Sequence, residues 1–249
     1  MKRILLLAII TVSGTFFVSR QLTANASQNM PKGIEDRGPL SKVTFIHYKK
    51  EKENAKPPSA GNKKKTDACY TFISAGAKWK KLEPYFVNPL NASTSLSNNA
   101  VYDAFNGGVT AWENGSGKDI FGNGTLDVNV VYDPDRVDDK NVAAFGPYGD
   151  SRVIAVTTVW GYFSGPETWR EIVEWDMLFN TNFKWSISSS DAMDIQNIAT
   201  HEMGHSAGLG DLYTTSCSIE TMYGYSVNGE TSKRTLETGD IAGIKSLYN

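Results

Sequence analysis

The hydrophobic residues of this chain follow two different periods. In three segments they recur every three to four residues, a spacing that places them on one face of a helix. The residue types at the ends agree, because Ser or Asp stands near each start and Gly follows the first two segments. The predicted helices cover about residues 95–117, 190–208 and 240–248.

Shorter segments alternate apolar and polar residues or are rich in Val, Thr and aromatic side chains, as strands are. These predicted strands are 70–73, 84–87, 126–132, 153–162 and 172–180. Along the chain the order is strands, helix, strands, helix, helix. This order predicts an α/β (α+β) fold around one sheet, and a length of 249 residues suits one principal domain.

The first 26 residues have the composition of a signal peptide. Lys2 and Arg3 precede an apolar run over 4–18, and the Ala-Asn-Ala stretch at 24–26 matches a signal peptidase site. An uncleaved membrane anchor is the alternative, but the run is shorter than the roughly 20 residues that a spanning helix needs. We therefore expect a secreted protein with no stable membrane insertion after signal cleavage.

Charge separates the N-terminal part of the chain from the rest. Residues 1–67 carry a net charge of +8, whereas residues 68–249 carry −10. An acidic main domain gives no reason to expect nucleic acid as a partner. Residues 27–67 are rich in lysine and show little periodicity, so we predict a solvated basic segment there, either a pro-segment or a linker. The main folded domain is predicted to cover 68–249.

Two histidines and a glutamate carry the candidate chemistry. His201 and His205 are four residues apart on the predicted second helix, so their rings project from the same face. Two imidazoles at this spacing can both bind one Zn²⁺ ion. Glu202 can reach a water at the metal without binding the metal itself, which is the position of a general base.

A third metal ligand is expected shortly after the helix. Gly208 can adopt a left-handed conformation that lets the chain double back after His205. Asp211 then stands six residues beyond that histidine and offers an oxygen that zinc accepts. The one remaining histidine, His47, lies in the basic segment, so a third histidine ligand is not expected. Asp211 is the predicted third ligand, and its alternative role is hydrogen-bond partner of a ligand histidine.

Residues 201–211 resemble the long zinc-binding motif of the metzincins, HExxHxxGxxH, with aspartate in the last place. Residues 220–224 resemble the metzincin Met-turn, in which a methionine, here Met222, lies beneath the metal. Further segments are similar to matrixin catalytic domains, namely 78–80, 175–179, 195–200 and 239–248. The chain from about residue 69 onward therefore resembles a matrixin catalytic domain.

This resemblance implies a metzincin-type zincin fold, with a twisted, mostly parallel five-stranded sheet, one antiparallel edge strand and three helices. It also implies a monomer that binds its protein or peptide substrate as an added strand along the edge strand, at 153–160. Tyr223 is expected to line the pocket that receives a substrate side chain.

Three features depart from matrixins. The aspartate ligand is similar to that of prokaryotic, snapalysin-like enzymes. No histidines remain for the structural zinc that matrixins usually hold, so one catalytic Zn²⁺ is expected. The PRCGxPD latency motif is absent. Cys69 is therefore one candidate for a thiolate that blocks the zinc. A disulfide between Cys69 and Cys217 is the default interpretation for two cysteines in an exported protein, and two free thiols are the third.

Calcium is a second candidate cation. Carboxylates cluster in one loop, at Asp133, Asp135, Asp138 and Asp139, and such oxygens are the ligands that Ca²⁺ prefers. Their spacing matches no EF-hand loop, and a solvated acidic turn is the alternative. The resemblance to matrixins favours calcium without identifying its ligands.

These features predict a secreted zinc-dependent endopeptidase that hydrolyses peptide bonds in proteins with Glu202 as general base. One alternative is a secreted binding or structural protein that retains an inactive metzincin fold. Another is a zinc hydrolase that acts on a non-peptide bond.

Overall fold

A computed structural model of the protein describes residues 37–50 and 68–249. The predicted signal peptide at 1–26 lies outside the described residues, as do parts of the basic segment. No helix within the described ranges is both long and apolar enough to cross a membrane.

Nine strands and three α-helices form the described structure. In chain order the strands are β1 (Leu40–Lys49), β2 (Tyr85–Asn88), β3 (Gly124–Leu126), β4 (Asn141–Gly146), β5 (Val153–Tyr162), β6 (Glu171–Asn180), β7 (Trp185–Ser186), β8 (Met193–Asp194) and β9 (Tyr225–Ser226). The helices are α1 (Asn98–Ser116), α2 (Ile195–Ser206) and α3 (Thr238–Tyr248).

Seven of these strands form one sheet, in the order β3-β2-β4-β6-β5-β1-β9. Pairs β2–β3, β2–β4 and β4–β6 are parallel, whereas β5 runs antiparallel to β6. The prediction of an α/β fold with a mostly parallel sheet and three helices is therefore confirmed. The count of five strands is corrected to seven, and the antiparallel β5 is not an edge strand, because β1 pairs with its outer side and the short β9 pairs with β1.

The prediction of a solvated segment is wrong for residues 40–49. This stretch is a strand whose Val43, Phe45 and His47 side chains are less exposed than those of Lys42 and Thr44. The alternation is short, lysines surround it, and its most buried residue is a histidine. The alternation of apolar and polar residues indicates a strand at 40–49, but the lysines around it favour a solvated segment, and the charge led to the wrong prediction.

Several predicted boundaries also change. Residues 127–132 leave the sheet after β3 ends at Leu126, and β4, which we did not predict, takes the next place beside β2. The second helix begins at Ile195 rather than near 190, because Asp194 caps it by accepting a hydrogen bond from the Asn197 amide. Helix α1 likewise begins after Ser97.

Helix α2 is held between the sheet and α1, and this packing places the candidate site. The apolar face of α1 is buried through Val101, Phe105, Val109 and Trp112. The Trp112 indole donates a hydrogen bond of 2.6 Å to the Thr200 carbonyl, one residue before the first histidine of α2. Helix α2 is therefore buried along almost its whole length.

A disulfide joins Cys69 to Cys217, with an S–S distance of 2.06 Å. It links the start of the second described range, 68–249, to the segment that precedes Met222, and the two cysteines are 148 residues apart in the sequence. The Cys69 sulfur is consequently not available to a metal in this structure, which contradicts the alternative of a zinc-blocking thiolate.

The contact between α1 and α2 gives a testable prediction. A Cβ atom added at Gly108 of α1 would lie 2.8 Å from the Thr200 nitrogen, which belongs to the backbone of α2. Gly108→Ala should lower the free energy of unfolding by about 1–3 kcal/mol, because the two helices must separate to admit the methyl group. Thermal or urea denaturation measures this change.

Gly149→Ala is the matched control, because a Cβ at this exposed glycine meets nothing within 4 Å. Equal stability of the two variants would contradict the close approach of α1 and α2.

Candidate metal centre

Helix α2 presents His201 and His205 from one face, one turn apart. Both side chains are buried, and their ring centroids lie 4.9 Å apart. The His201 Nδ1 lies 2.7 Å from the Thr221 carbonyl oxygen, and the His205 Nδ1 lies 3.0 Å from the Leu209 carbonyl oxygen. Each Nδ1–H therefore donates to a carbonyl, which leaves each Nε2 with a lone pair for a metal.

The turn after α2 brings Asp211 to the two histidines. Gly208 has φ = +107°, a conformation that only glycine adopts readily. The Asp211 Oδ1 then lies 3.2 Å from the His201 Nε2 and 3.4 Å from the His205 Nε2. Its Oδ2 accepts a hydrogen bond of 3.0 Å from the Tyr213 hydroxyl, which orients the carboxylate.

These three side chains fit a zinc ion by their donor chemistry. The His201 Nε2 and the Asp211 Oδ1 are buried atoms with no hydrogen-bond partner, although buried polar atoms in proteins are normally paired. Burial lowers the pKa of His201 to about 4, which favours the neutral ring that a metal ligand needs, whereas at His205 burial is outweighed by the Asp211 carboxylate, which raises the pKa. Two imidazole nitrogens and one carboxylate oxygen are a common ligand set for catalytic zinc.

The Met222 side chain is fully buried and packs beside α2. A Cβ atom built at Gly204 would lie 2.2 Å from the Met222 sulfur, so the methionine touches the helix between the two histidines. The Asp240 carboxylate fixes this turn by accepting hydrogen bonds from the amides of Thr221 (2.7 Å) and Met222 (3.2 Å). Asp240 thereby positions Thr221, whose carbonyl orients His201.

Tyr223 follows the methionine and is buried, with its carbonyl oxygen 2.7 Å from the Lys233 ammonium. The same ammonium donates to the Tyr225 carbonyl and to the Ser226 hydroxyl (2.9 Å). Lys233 is therefore a buried lysine that holds β9 and the segment before it. Sequence reasoning missed it, because an isolated lysine usually indicates an exposed residue.

Glu202 is fully buried beside the candidate metal ligands, and both of its carboxylate oxygens have partners. The Thr157 hydroxyl of β5 donates a hydrogen bond of 2.6 Å to Oε2. The His47 Nδ1 of β1 lies 2.9 Å from Oε1. Burial raises the pKa of Glu202 above its usual value.

The position of His47 corrects the expectation that this histidine lies apart from the site. Its side chain is 1% exposed, and its ring centroid lies 3.9 Å from that of His201. Phe45, two residues earlier, stacks on His205 with a centroid distance of 3.8 Å and an interplanar angle of 7°. The alternation of β1 was the only sequence signal that could have indicated this placement.

Two overlapping groups of side chains in the described part of the chain could hold a metal ion. One consists of His201, His205 and Asp211, and the other of His47, His201 and Glu202. The acidic loop is not among these groups. There Asp133 and Asp138 form ion pairs with Arg136, and Asp135 pairs with Lys42 of β1.

Comparison with known proteins agrees with this arrangement. A family model described as matrixin matches residues 85–249. The hatching enzyme of Paracentrotus lividus is 26% identical over 177 residues, which cover 71% of this chain and 27% of that protein. Human (Homo sapiens) matrilysin is 34% identical over 73 residues, or 29% of this chain and 26% of that protein. The matches thus span about a quarter of the length of these curated relatives.

The segment that matches the family model contains α2, the turn to Asp211, and Met222, and it covers more than half of the chain. Matrixins use zinc, and the donor atoms described above fit that metal. The chain belongs to the matrixin family.

Proposed function

We propose that this protein is a secreted zinc-dependent endopeptidase that hydrolyses peptide bonds in proteins. The observation that carries the proposal is the convergence of the His201 Nε2, the His205 Nε2 and the Asp211 Oδ1, with Glu202 buried on the helix that carries both histidines. Zinc held by these atoms would act as a Lewis acid on the attacking water and the scissile carbonyl.

Glu202 supplies the proton transfer. Its carboxylate accepts a proton from the attacking water and delivers that proton to the leaving amine nitrogen. The Thr157 hydroxyl orients the carboxylate from β5 by its hydrogen bond to Oε2. Because burial raises its pKa, Glu202 is a stronger base than an exposed glutamate and can hold the proton between the two steps.

The substrate binds as an extended strand along β5. Tyr223 is buried and lies between Met222 and β9 in the chain, and we assign it to the pocket that receives a substrate side chain. The aspartate ligand supports a snapalysin-like subtype. We propose a monomer with one catalytic zinc, no nucleic-acid partner and a signal peptide at 1–26.

Calcium remains a proposal for the loop that carries Asp133 and Asp138. The buried Glu174 carboxylate accepts hydrogen bonds from the amides of Asp138 (2.9 Å) and Lys140 (3.2 Å) and so ties this loop to β6. Burial raises the pKa of neighbouring Asp176 to about 8, and a bound cation would favour its ionised form.

An inactive binding or structural protein is the second candidate. The observation that favours it is the His47–Glu202 contact, because this contact occupies an oxygen that a general base needs. Hydrolysis of a peptide by His47→Ala would support the peptidase. A lack of hydrolysis in both the wild type and this variant would support the inactive protein.

Glu202→Gln tests the role of the general base. Glutamine keeps the shape of the side chain but cannot accept the water proton, so peptide hydrolysis should fall by about 10²–10⁴-fold while zinc remains bound at one ion per chain. Rates are measured on casein, and zinc is measured by elemental analysis. Because His47 contacts Glu202, both proteins are also compared in a His47→Ala background. Full activity of the glutamine variant would overturn the mechanism.

Asp211→Ala tests the third ligand. Loss of one protein ligand should weaken zinc binding by at least about a hundredfold, measured by competition with a chromophoric chelator. Asp119→Ala is the matched control, because Asp119 is an exposed aspartate outside both metal-binding groups. If the two variants bind zinc equally well, Asp211 is only a hydrogen-bond partner of the histidines.

A further inference from the structure

Strand β1 occupies the side of β5 along which a peptide substrate is proposed to bind. Residues 40–48 pair antiparallel with β5, and Tyr48–Lys49 pair parallel with β9. At its end, the Lys49 amide donates to the Arg152 carbonyl and the Lys50 amide donates to the Ser226 carbonyl, each at 2.9 Å. An extended segment with strands on both sides is the geometry of peptide binding by strand addition.

The side chains of β1 reach the metal site from the same strand face. Phe45 and His47 are two residues apart and therefore point to the same side of the strand. Phe45 covers the ring of His205, and His47 covers the ring of His201. The segment thus contacts both histidines that are proposed to bind zinc.

His47 has the chemistry of a further metal ligand. Its Nδ1–H donates to the Glu202 carboxylate, as the corresponding groups of His201 and His205 donate to carbonyls. Its Nε2 is buried and has no hydrogen-bond partner. One donor atom each of His47, His201 and Glu202 lie within 4.8 Å of one another.

Strand β1 belongs to the same compact unit as the rest of the described chain, but two observations distinguish it from the segment that matches the family. The match to the matrixin family covers residues 85–249 and does not include β1. The basic segment to which β1 belongs has the charge opposite to that of the rest of the chain, and Lys42 of β1 pairs with Asp135 at 2.8 Å. Charge complementarity therefore favours docking of this segment on the acidic domain.

We propose that residues 40–49 are an internal pseudosubstrate and that His47 is its blocking residue. In this state His47 holds the Glu202 oxygen that must accept the proton of the attacking water, and its Nε2, which has no hydrogen-bond partner, would be available to bind the zinc beside His201. The proposal rests on the proposed function, since it assigns a regulator to the same site.

The test uses the full chain loaded with Co²⁺ in place of zinc, because the visible spectrum of Co²⁺ reports its ligands independently of turnover. His47→Ala should change the absorption bands of bound Co²⁺, whereas Lys42→Ala should leave them as in the wild type. Lys42 lies on the same strand, but its side chain contacts Asp135 rather than the metal group, so it is the matched control for loosening of β1.

The second measurement is hydrolysis of a quenched fluorescent peptide by the zinc-loaded proteins, with the intact length of each chain checked by mass spectrometry. His47→Ala should raise the rate by about tenfold or more, the effect of removing one buried hydrogen bond to a charged group. Lys42→Ala should raise it less.

The two measurements distinguish the failure of each proposal. An unchanged cobalt spectrum together with equal rates for His47→Ala and Lys42→Ala would show that β1 is an integral strand and would overturn the pseudosubstrate. A changed spectrum without turnover in any variant would support His47 as a ligand while overturning the peptidase. If the wild type hydrolyses the peptide as fast as His47→Ala does, the inhibitory role of β1 is overturned and the proposed peptidase activity is supported.

If the His47→Ala protein is not folded, as shown by the lack of cooperative unfolding in a thermal melt, His47→Gln replaces it in both measurements. Its amide can still donate to Glu202 but is a poor metal ligand, so the cobalt spectrum should again differ from that of the wild type. A wild-type spectrum in this variant would overturn ligation by His47.

Discussion

Two backbone carbonyls determine which nitrogen each histidine of α2 directs at a metal. The Thr221 and Leu209 oxygens accept the Nδ1–H groups of His201 and His205, so both Nε2 atoms face Asp211. The position of each carbonyl depends on a different feature. The Asp240 carboxylate fixes the turn at Thr221, and the left-handed Gly208 changes the chain direction at Leu209. Much of the C-terminal third of the domain therefore serves to orient two imidazole rings.

In the proposed scheme one side of β5 serves a substrate or a regulator in turn, because its backbone groups lie beside the candidate metal ligands and are paired in this structure by β1. Strand β5 satisfies one set of these groups with β6 and the other with β1. An edge strand that ends its sheet is open to pairing with another extended chain. In this protein the described partner of that edge is a segment of the chain itself, and its His47 reaches the group that the proposed mechanism needs.

The candidate metal ligands add one negative charge to the site. Asp211 replaces what would be a neutral imidazole in a site of three histidines, so a bound Zn²⁺ would carry a smaller net positive charge with its ligands. The nearby Glu202 carboxylate is consequently held less strongly by the metal charge and relies more on its hydrogen bonds. The hydrogen bond of 2.6 Å from the Thr157 hydroxyl meets this requirement, because a buried carboxylate without partners would be costly.

Local spacing was enough to indicate His201, Glu202, His205 and the turn to Asp211, because all four lie within eleven residues, the first three on one helix and Asp211 after the glycine that follows it. The mostly parallel sheet and three helices were likewise predictable from the order of the periodic segments and from the family resemblance. The exact start of α2 was not, since the choice between 190 and Asp194 as its cap depends on the short strand β8.

Only the tertiary structure decided what lies against Glu202. The histidine that contacts it is 155 residues away in a lysine-rich segment, and no local pattern relates positions so far apart. The roles of Lys233 and Asp240 could not be predicted from the sequence for the same reason. Lys233 donates to the Tyr223 carbonyl and Asp240 accepts from the Thr221 amide, and both contacts exist only in the folded chain. The sequence by itself therefore determined the candidate metal ligands that one helix and one turn bring together, whereas long-range strand pairing determined which residue lies against them.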